Sequence, residues 1–310
     1  MRAGRRVIIY DNLSAGHRAA AGDAELVEGD VHDIARLREV MRSREVSAVM
    51  HFAAWLAVGE SVRDPAGYYA NNVGGSLTLL EAMVRESVGH FVLSSTCAVF
   101  GEPTRLPIAE DDPKNPINPY GETKLAIERA LPHYGRAYGL RSVSLRYFNA
   151  AGADPDGDLG EDHDPEIHLI PLAIRAATGG PGLRVFGDDY PTPDGTCLRD
   201  YIHVADLADA HRLALDALER NGGSACYNLG NGRAHSVRQV IEAVGRVTGR
   251  DVAWQVAPRR AGDPAALFAS NTKIQQELGW RPRYADLEAI VETAWRWHRT
   301  HPHGFAEERS

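Results

Sequence analysis

The sequence predicts an α/β protein built on a doubly wound parallel sheet, followed by a smaller C-terminal α/β domain. Three observations carry that reading. Short apolar runs rich in β-branched residues alternate with longer helix-period segments through the first half of the chain. Such continuous apolar runs suit strands buried on both faces, as in parallel sheets. Polar residues follow each run directly, and open parallel sheets bind ligands beyond the carboxyl ends of their strands.

The elements follow in order. Val7-Ile8-Ile9-Tyr10 reads as a strand leading into the loop Asp11-Asn12-Leu13-Ser14. Ala48-Val49-Met50-His51-Phe52, His90 to Ser95 and Arg141 to Tyr147 read as three more strands. Helical patterns near Ile34–Ser43, Tyr68–Ser87 and Tyr120–Tyr138 lie between them. From Ala150 to Glu166 the chain is rich in Gly, Asp and Pro and reads as a loop, which places a domain change near residue 150. The expected division is 1–150 and 151–310. Tyr201 to Leu218 reads as helix and Ala225 to Leu229 as strand, a pair expected to return to the first domain's sheet.

Composition bounds the function. With 310 residues, 44% hydrophobic and 25% charged, the chain is long enough to bury a core without staples. A formal charge of −8 argues against a nucleic-acid binder. No apolar run approaches the roughly 18 residues of a membrane span, and the N-terminus does not read as a signal peptide. Cys97, Cys197 and Cys226 are odd in number and far apart, which fits neither a disulfide framework nor a zinc motif and suits a reducing cytoplasm.

Tyr120-Gly121-Glu122-Thr123-Lys124 is the strongest chemical signal. Residues four apart share a helix face, so phenol and ammonium project together. A nearby ammonium is expected to lower the tyrosine's pKa from about 10 toward working pH and make Tyr120 a general acid/base. The chain has only three lysines against 31 arginines, and one of the three stands here. Ser94-Ser95-Thr96 ends the third strand, where a hydroxyl is placed to hydrogen-bond a substrate oxygen.

These residues resemble the extended short-chain dehydrogenase/reductase family, with its Rossmann-like sheet, and within it the UDP-glucose (UDP-galactose) 4-epimerases. The resemblance runs through Tyr10-Asp11-Asn12-Leu13, Glu28-Gly29-Asp30, His51-Phe52-Ala53-Ala54, Val58 to Val62 and Asn71-Asn72-Val73. It continues through Arg146-Tyr147-Phe148-Asn149, Phe186 to Thr192, Arg199 to Val204 and Pro258 to Asp263. It implies reversible epimerisation at C4 of a UDP-hexose through a 4-keto sugar, with NAD as cofactor. Tyr120, Lys124 and Thr96 are the implied catalytic residues. Asp11 and Asn12 would hold the adenosine ribose, Asp30 and Val31 would flank adenine, and Phe52, Ala53, Asn71, Ser94 and Phe148 would line the cofactor channel. A carboxylate at Asp11 would accept ribose hydroxyls and repel a 2′-phosphate, favouring NAD over NADP. Asn149, His168, Leu169, Phe186, Arg199, Tyr201, Arg260, Asp263 and Leu267 would line the substrate site. Arginine forks at 199 and 260 suit a diphosphate. A homodimer through the helices at 68–87 and 120–138 is also implied.

Two departures bear on specificity. Leu56 stands where some members place a lysine near the cofactor. Leu267 stands where some carry a tyrosine beside the sugar, which leaves UDP-N-acetylhexosamines open as substrates; UDP-pentoses also remain open. A 4,6-dehydratase would place Asp-Glu directly after the threonine, whereas Cys97-Ala98 follows here. Glu161, Asp162, His163, Asp164, Glu166 and His168 crowd one loop, but their spacing fits no strong ligand motif and no metal is expected. His298, His301 and His303 are expected to be solvated.

A dinucleotide fold also needs a first strand and a glycine-rich turn about 20 residues before the acidic ribose ligand. Ten residues precede Asp11, with Gly4 the single glycine among them. Met1-Arg2-Ala3-Gly4 looks like the end of the following helix. The expectation is therefore a start at an internal methionine of a longer protein, or else a remnant without activity.

Overall fold

The computed structural model describes residues 2–260 and 263–305. Met1, and Ala261 and Gly262 of the Pro258–Asp263 stretch, lie outside the described residues.

The first half alternates strand and helix: β1 (Ile8–Asp11), β2 (Glu25–Glu28), α1 (Ile34–Ser43), β3 (Ala48–His51), α2 (Val58–Arg63), α3 (Pro65–Tyr68), α4 (Gly75–Arg85), β4 (His90–Ser94), α5 (Pro119–Tyr138) and β5 (Arg141–Arg146). The second half contains β6 (Asn149–Ala151), α6 (Leu169–Ala177), β7 (Leu183–Phe186), β8 (Leu198–Arg199), β9 (Tyr201–His203), α7 (Val204–Glu219) and β10 (Ala225–Asn228). It ends with β11 (His235–Ser236), α8 (Val237–Thr248), β12 (Trp254–Ala257), β13 (Ala266–Leu267), α9 (Thr272–Leu278) and α10 (Leu287–Thr300).

Strands β10, β5, β4 and β3 form one parallel sheet in that order. Strand β10 follows α7, so the chain returns to this sheet after residue 200. Strands β1 and β2 pair with each other in parallel but are not hydrogen-bonded to the four-stranded sheet. Side chains alternate across the sheet as the strand period requires. Val92, Val143 and Leu145 pack against Leu207, Ala210 and Ala214 of α7. Phe91 and Leu93 point the other way, onto Leu37 and Met41 of α1, Leu79, Leu80 and Met83 of α4, and Ile127 and Leu131 of α5. Each such buried Val, Leu, Ile, Phe or Met side chain contributes about 1.5–3 kcal/mol.

Helix α5 is the element that matters most for chemistry, and its bounds are written locally. The Asn118 side chain accepts the Gly121 N–H, Pro119 fills the first turn, and Gly139 closes the helix in the left-handed region at φ 72°. The predicted long helix over 68–87 differs. A π-helical turn over Tyr69–Gly74 precedes α4 and rotates Asn71 and Asn72 relative to the rest. Tyr201–His203 is a strand and not the start of a helix, because it pairs with Asn149–Ala151.

The remaining strands are short. Strand β8 lies between β11 and β13, β7 pairs with β12, and β6 pairs with β9. A separate core joins α6, α8 and α10 through Ile174, Val240, Val244, Ile290 and Val291. Among the described residues no helix is long and apolar enough to cross a membrane.

Candidate active site

The carboxyl ends of β3, β4 and β5 face the start of α5, and the predicted triad meets there. Thr96 follows β4 and its hydroxyl accepts the Ala98 N–H at 3.1 Å, capping a 3₁₀ turn over Cys97–Phe100. That turn packs against the start of α5. The contact is close because residue 121 is glycine: a Cβ there would lie 2.7 Å from the Ala98 carbonyl oxygen. Tyr120 is thereby set beside the Thr96 hydroxyl.

Lys124 is buried, and its Nζ donates to the Ser94 carbonyl at 2.9 Å. That is the ammonium's single acceptor among the described residues, so a buried cation retains two unused donors. Burial lowers its pKa to about 8, against an opposing pull from Glu128. The Ser94 hydroxyl meets the Tyr147 hydroxyl at 2.6 Å. Tyr147 faces His211, and Phe52 packs on the same imidazole with ring centroids 4.8 Å apart.

One expectation needs correcting. Tyr120 is raised above the ordinary phenol value by burial, with the Thr96 hydroxyl pulling the other way. Lys124, whose ammonium donates to the Ser94 carbonyl, does not offset this. The unliganded site therefore holds a neutral phenol at neutral pH.

Glu128, one turn beyond Lys124, was not singled out in the sequence. It forms a buried ion pair with Arg146 at 2.5 Å and accepts the Ser95 hydroxyl at 2.5 Å. The pair fastens α5 to the ends of β4 and β5 beneath the triad. The spacing of Lys124 and Glu128 on one helix face was the available signal. Asn72 was also missed as a contributor. It is buried, accepts the Trp55 N–H at 2.8 Å, and donates to the Trp55 carbonyl and the Thr123 hydroxyl, while half-buried Asn71 donates to it.

The residues expected around adenosine converge at the ends of β1 and β2. Asn12 Nδ2 donates to Asp30 at 2.8 Å, and Asp11 accepts the Leu13 N–H at 2.7 Å. Tyr10 donates its hydroxyl proton to the Asp30 carbonyl, and its ring lies where a Cβ on Gly29 would be 2.4 Å away. Asp30 is held below the usual carboxylate range by the His32 N–H, Asn12 and the His32 ring. Val31 lies against Gly75 at the start of α4. Phe52 and Ala53 are exposed just past β3, as are Trp55 and Leu56. An apolar wall open to solvent, acidic residues at two strand ends and a buried ammonium with spare donors fit the adenosine and nicotinamide ends of a dinucleotide, while the glycine-rich turn that would hold its pyrophosphate is not among the described residues.

The residues expected around the uridine diphosphate fall together by strand register. Asn149 pairs with Tyr201, and Leu267 pairs with Arg199. Asn149 Nδ2 donates to the Asp200 carbonyl at 2.9 Å. Arg199 donates to the carbonyls of Leu198 and Pro264 at 2.8 and 3.0 Å and is paired with Asp263. The Arg260 guanidinium lies over the Phe186 ring, 3.9 Å from its centroid. Phe148 and Leu267 pack on one apolar cluster with Cys97, Val99 and Leu125, which links the catalytic turn to this group. Leu169 opens α6, and His168 is its N-cap residue. Burial disfavours charge on His168, but Glu161 and Glu166 outweigh it and raise its pKa to about 10. His298 is half-buried, which lowers its pKa, and half-buried His301 stacks on Trp297, so neither is simply solvated.

A tyrosine and a lysine one helical turn apart, set against the ends of parallel strands, define a dinucleotide-dependent enzyme of proton and hydride transfer. The chain belongs to the NAD dependent epimerase/dehydratase family, which residues 1–230 match. It is 52% identical over 309 residues to a UDP-glucose 4-epimerase of Halalkalibacterium halodurans, covering 99% of this chain and 92% of that protein. The crystal structure of UDP-glucose 4-epimerase from Brucella ovis in complex with NAD is 53% identical, with a TM-score of 0.93 over 96% of this chain and 92% of that one. The Bifidobacterium longum enzyme in complex with NAD⁺ and UDP is 36% identical, with a TM-score of 0.92 over 98% and 93%.

Proposed function

We propose that the chain interconverts UDP-glucose and UDP-galactose by inverting C4 of the hexose, with NAD held as a resident cofactor. The observation that carries this reading is the placement of Tyr120 beside Thr96, with the Lys124 ammonium buried beneath and donors to spare. NAD, when bound, supplies a hydride acceptor at C4 that is regenerated within each turnover. Tyr120, once ionised beside the cationic cofactor, takes the proton of the 4-hydroxyl while Thr96 hydrogen-bonds the same oxygen. Lys124 contributes cationic charge on the Tyr120 face of α5, and its unused N–H groups serve the cofactor. Tyr120 returns the proton once the sugar presents its opposite face.

Asp11, Asn12, Asp30, Val31, Phe52, Ala53, Asn71, Ser94 and Phe148 form the cofactor side of this reading. Asn149, His168, Leu169, Phe186, Arg199, Tyr201, Arg260, Asp263 and Leu267 form the UDP-sugar side. Residues 1–150, joined by β10, act as the cofactor domain, and most of 151–310 as the substrate domain. The buried Cys97 after Thr96 cannot serve as a dehydratase acid, which favours epimerisation over dehydration. Leu267 leaves room beside the sugar, so UDP-N-acetylglucosamine is the second substrate to assay. The expected assembly is a homodimer through α4 and α5, where Leu77 and Tyr138 are exposed, in a compartment that keeps the three cysteines reduced. Sedimentation showing only monomer at micromolar concentration would count against the dimer.

The deciding assay supplies NAD and UDP-galactose without a reductant and follows UDP-glucose. Tyr120→Phe is expected to lower kcat by 10²–10⁴-fold, the usual worth of such a group. A loss within about tenfold would remove Tyr120 as the base.

A further inference from the structure

The loop between β6 and α6 carries Glu161, His163, Glu166 and His168 at a spacing that matches no ligand motif, and no metal was expected there. Folding nonetheless brings one ligand atom from each of the four within 4.8 Å of all the others. The His168 Nδ1 lies 2.6 Å from Glu161 Oε1 and 3.0 Å from Glu166 Oε1. The His163 Nδ1 lies 3.3 Å from the same Glu161 oxygen and 3.9 Å from Glu166 Oε2. That His163 nitrogen is buried and makes no hydrogen bond of acceptable geometry.

We propose that Glu161, His163, Glu166 and His168 bind one divalent transition-metal ion of the zinc type. Bonds of about 2.0–2.2 Å around a tetrahedral zinc put neighbouring ligand atoms roughly 3.3–3.5 Å apart. From Glu161 Oε1 the separations to His168 and His163 are 2.6 and 3.3 Å, and all four ligand atoms lie within 4.8 Å of one another, so the side chains need only draw together around an ion. Binding would release to solvent the proton that His168 Nδ1 shares with Glu161 and Glu166, after which two carboxylates and two neutral imidazoles balance a dication. Imidazole ligands select zinc or cobalt over magnesium and calcium. Glu166 is already oriented, because its Oε1 accepts the N–H groups of Ile167 and His168 at 2.7 and 2.8 Å. The carboxylate side is the more enclosed, with Glu166 2% exposed, whereas His163 at 39% leaves an entry path.

Four protein ligands leave no open position, which makes this a structural site. Its ion would fasten the loop to the N-cap of α6, one residue before Leu169. The site would therefore brace the segment that carries His168 and Leu169, two of the expected UDP-sugar contacts, and take no part in proton transfer.

The test uses the full chain, stripped with a chelator and titrated with Co²⁺ and Zn²⁺ alone. One equivalent of Co²⁺ is expected to give the strong visible bands of a four-coordinate N₂O₂ site, and one equivalent of Zn²⁺ to survive gel filtration and raise the melting temperature. His163→Ala changes a partly exposed side chain, and Glu161→Gln keeps the shape of its residue. Each should weaken zinc binding at least about a hundredfold, beyond the 10–100-fold cost of losing a mere supporting group. Their far-ultraviolet circular dichroism should be unchanged. The proposal is overturned if the stripped protein gives no such bands, or if both variants bind with wild-type affinity and stoichiometry, since binding would then lie at other histidines.

Discussion

Gly121 stands so close to Ala98 that a single methyl group at residue 121 would meet the Ala98 carbonyl oxygen at 2.7 Å. The same methyl would lie 3.1 Å from the Pro116 Cβ, so it is confined on two sides. The missing side chain is what lets the start of α5 rest on the turn after Thr96. The Tyr120 position is thus set by its neighbour in sequence.

Gly121→Ala should therefore act on catalysis more than on folding. Alanine suits a helix better than glycine by about 1 kcal/mol, which offsets part of the clash. The helix start must still withdraw, and displacements near 1 Å at a reacting centre cost up to about 10²-fold. A fall in kcat of tenfold or more is expected, with bound NAD retained. A kcat within twofold of wild type would show that the contact does not set the distance from Tyr120 to Thr96.

The Glu128–Arg146 pair is nearly solvent-free, at 5% and 4% side-chain exposure. Removing one partner leaves an uncompensated buried charge. Glu128→Ala is expected to cost about 3–5 kcal/mol in urea denaturation, while the double change to methionine at both positions should recover most of it. If the single and double variants are equally unstable, the pair supplies more than mutual neutralisation.

Lys124 gives a pH signature in the NAD-free protein. Its folded pKa, about 8, lies below its ordinary 10.5 because burial disfavours the charged form. Between those values the unfolded chain binds a proton that the folded chain does not, so stability rises with pH across that window and is flat below it. The stability difference between wild type and Lys124→Met should thus shift toward wild type by about 1.4 kcal/mol per pH unit above pH 8. A difference independent of pH from 7 to 9.5 would contradict the depressed pKa.

Much of the fold was legible because its signals are local. Apolar runs at Ile8, Ala48, His90 and Arg141 became parallel strands, and Asn118, Pro119 and Gly139 bound α5. Tyr120 and Lys124 were visible because one helical turn separates them. Other features depend on tertiary placement that no single segment encodes. Tyr201–His203 became a strand only because Asn149–Ala151 lay beside it. The Tyr120 shift went the other way from the expectation because burial of the phenol, which only tertiary packing creates, dominates it. The Glu161–His168 cluster escaped motif reading because a loop, and not a helix or strand period, assembles it.

Arg199 provides the last prediction, on the substrate side. Its guanidinium joins β8 to the segment before β13, donating to Leu198 and Pro264 carbonyls through one nitrogen and pairing with Asp263 through another. A planar fork can hold these partners and still present an edge to a diphosphate, whereas a lysine ammonium is a single point of charge. Arg199→Lys keeps the charge but loses the fork. UDP is expected to bind at least tenfold more weakly by calorimetry, about 1.4 kcal/mol, while NAD content stays at the wild-type level. A purely structural arginine would behave otherwise: the melting temperature would fall, NAD and UDP affinity would decline together, and the UDP-selective loss would be absent. That pattern would move the diphosphate away from Arg199 and onto Arg260, whose guanidinium over Phe186 is another cation placed among these residues.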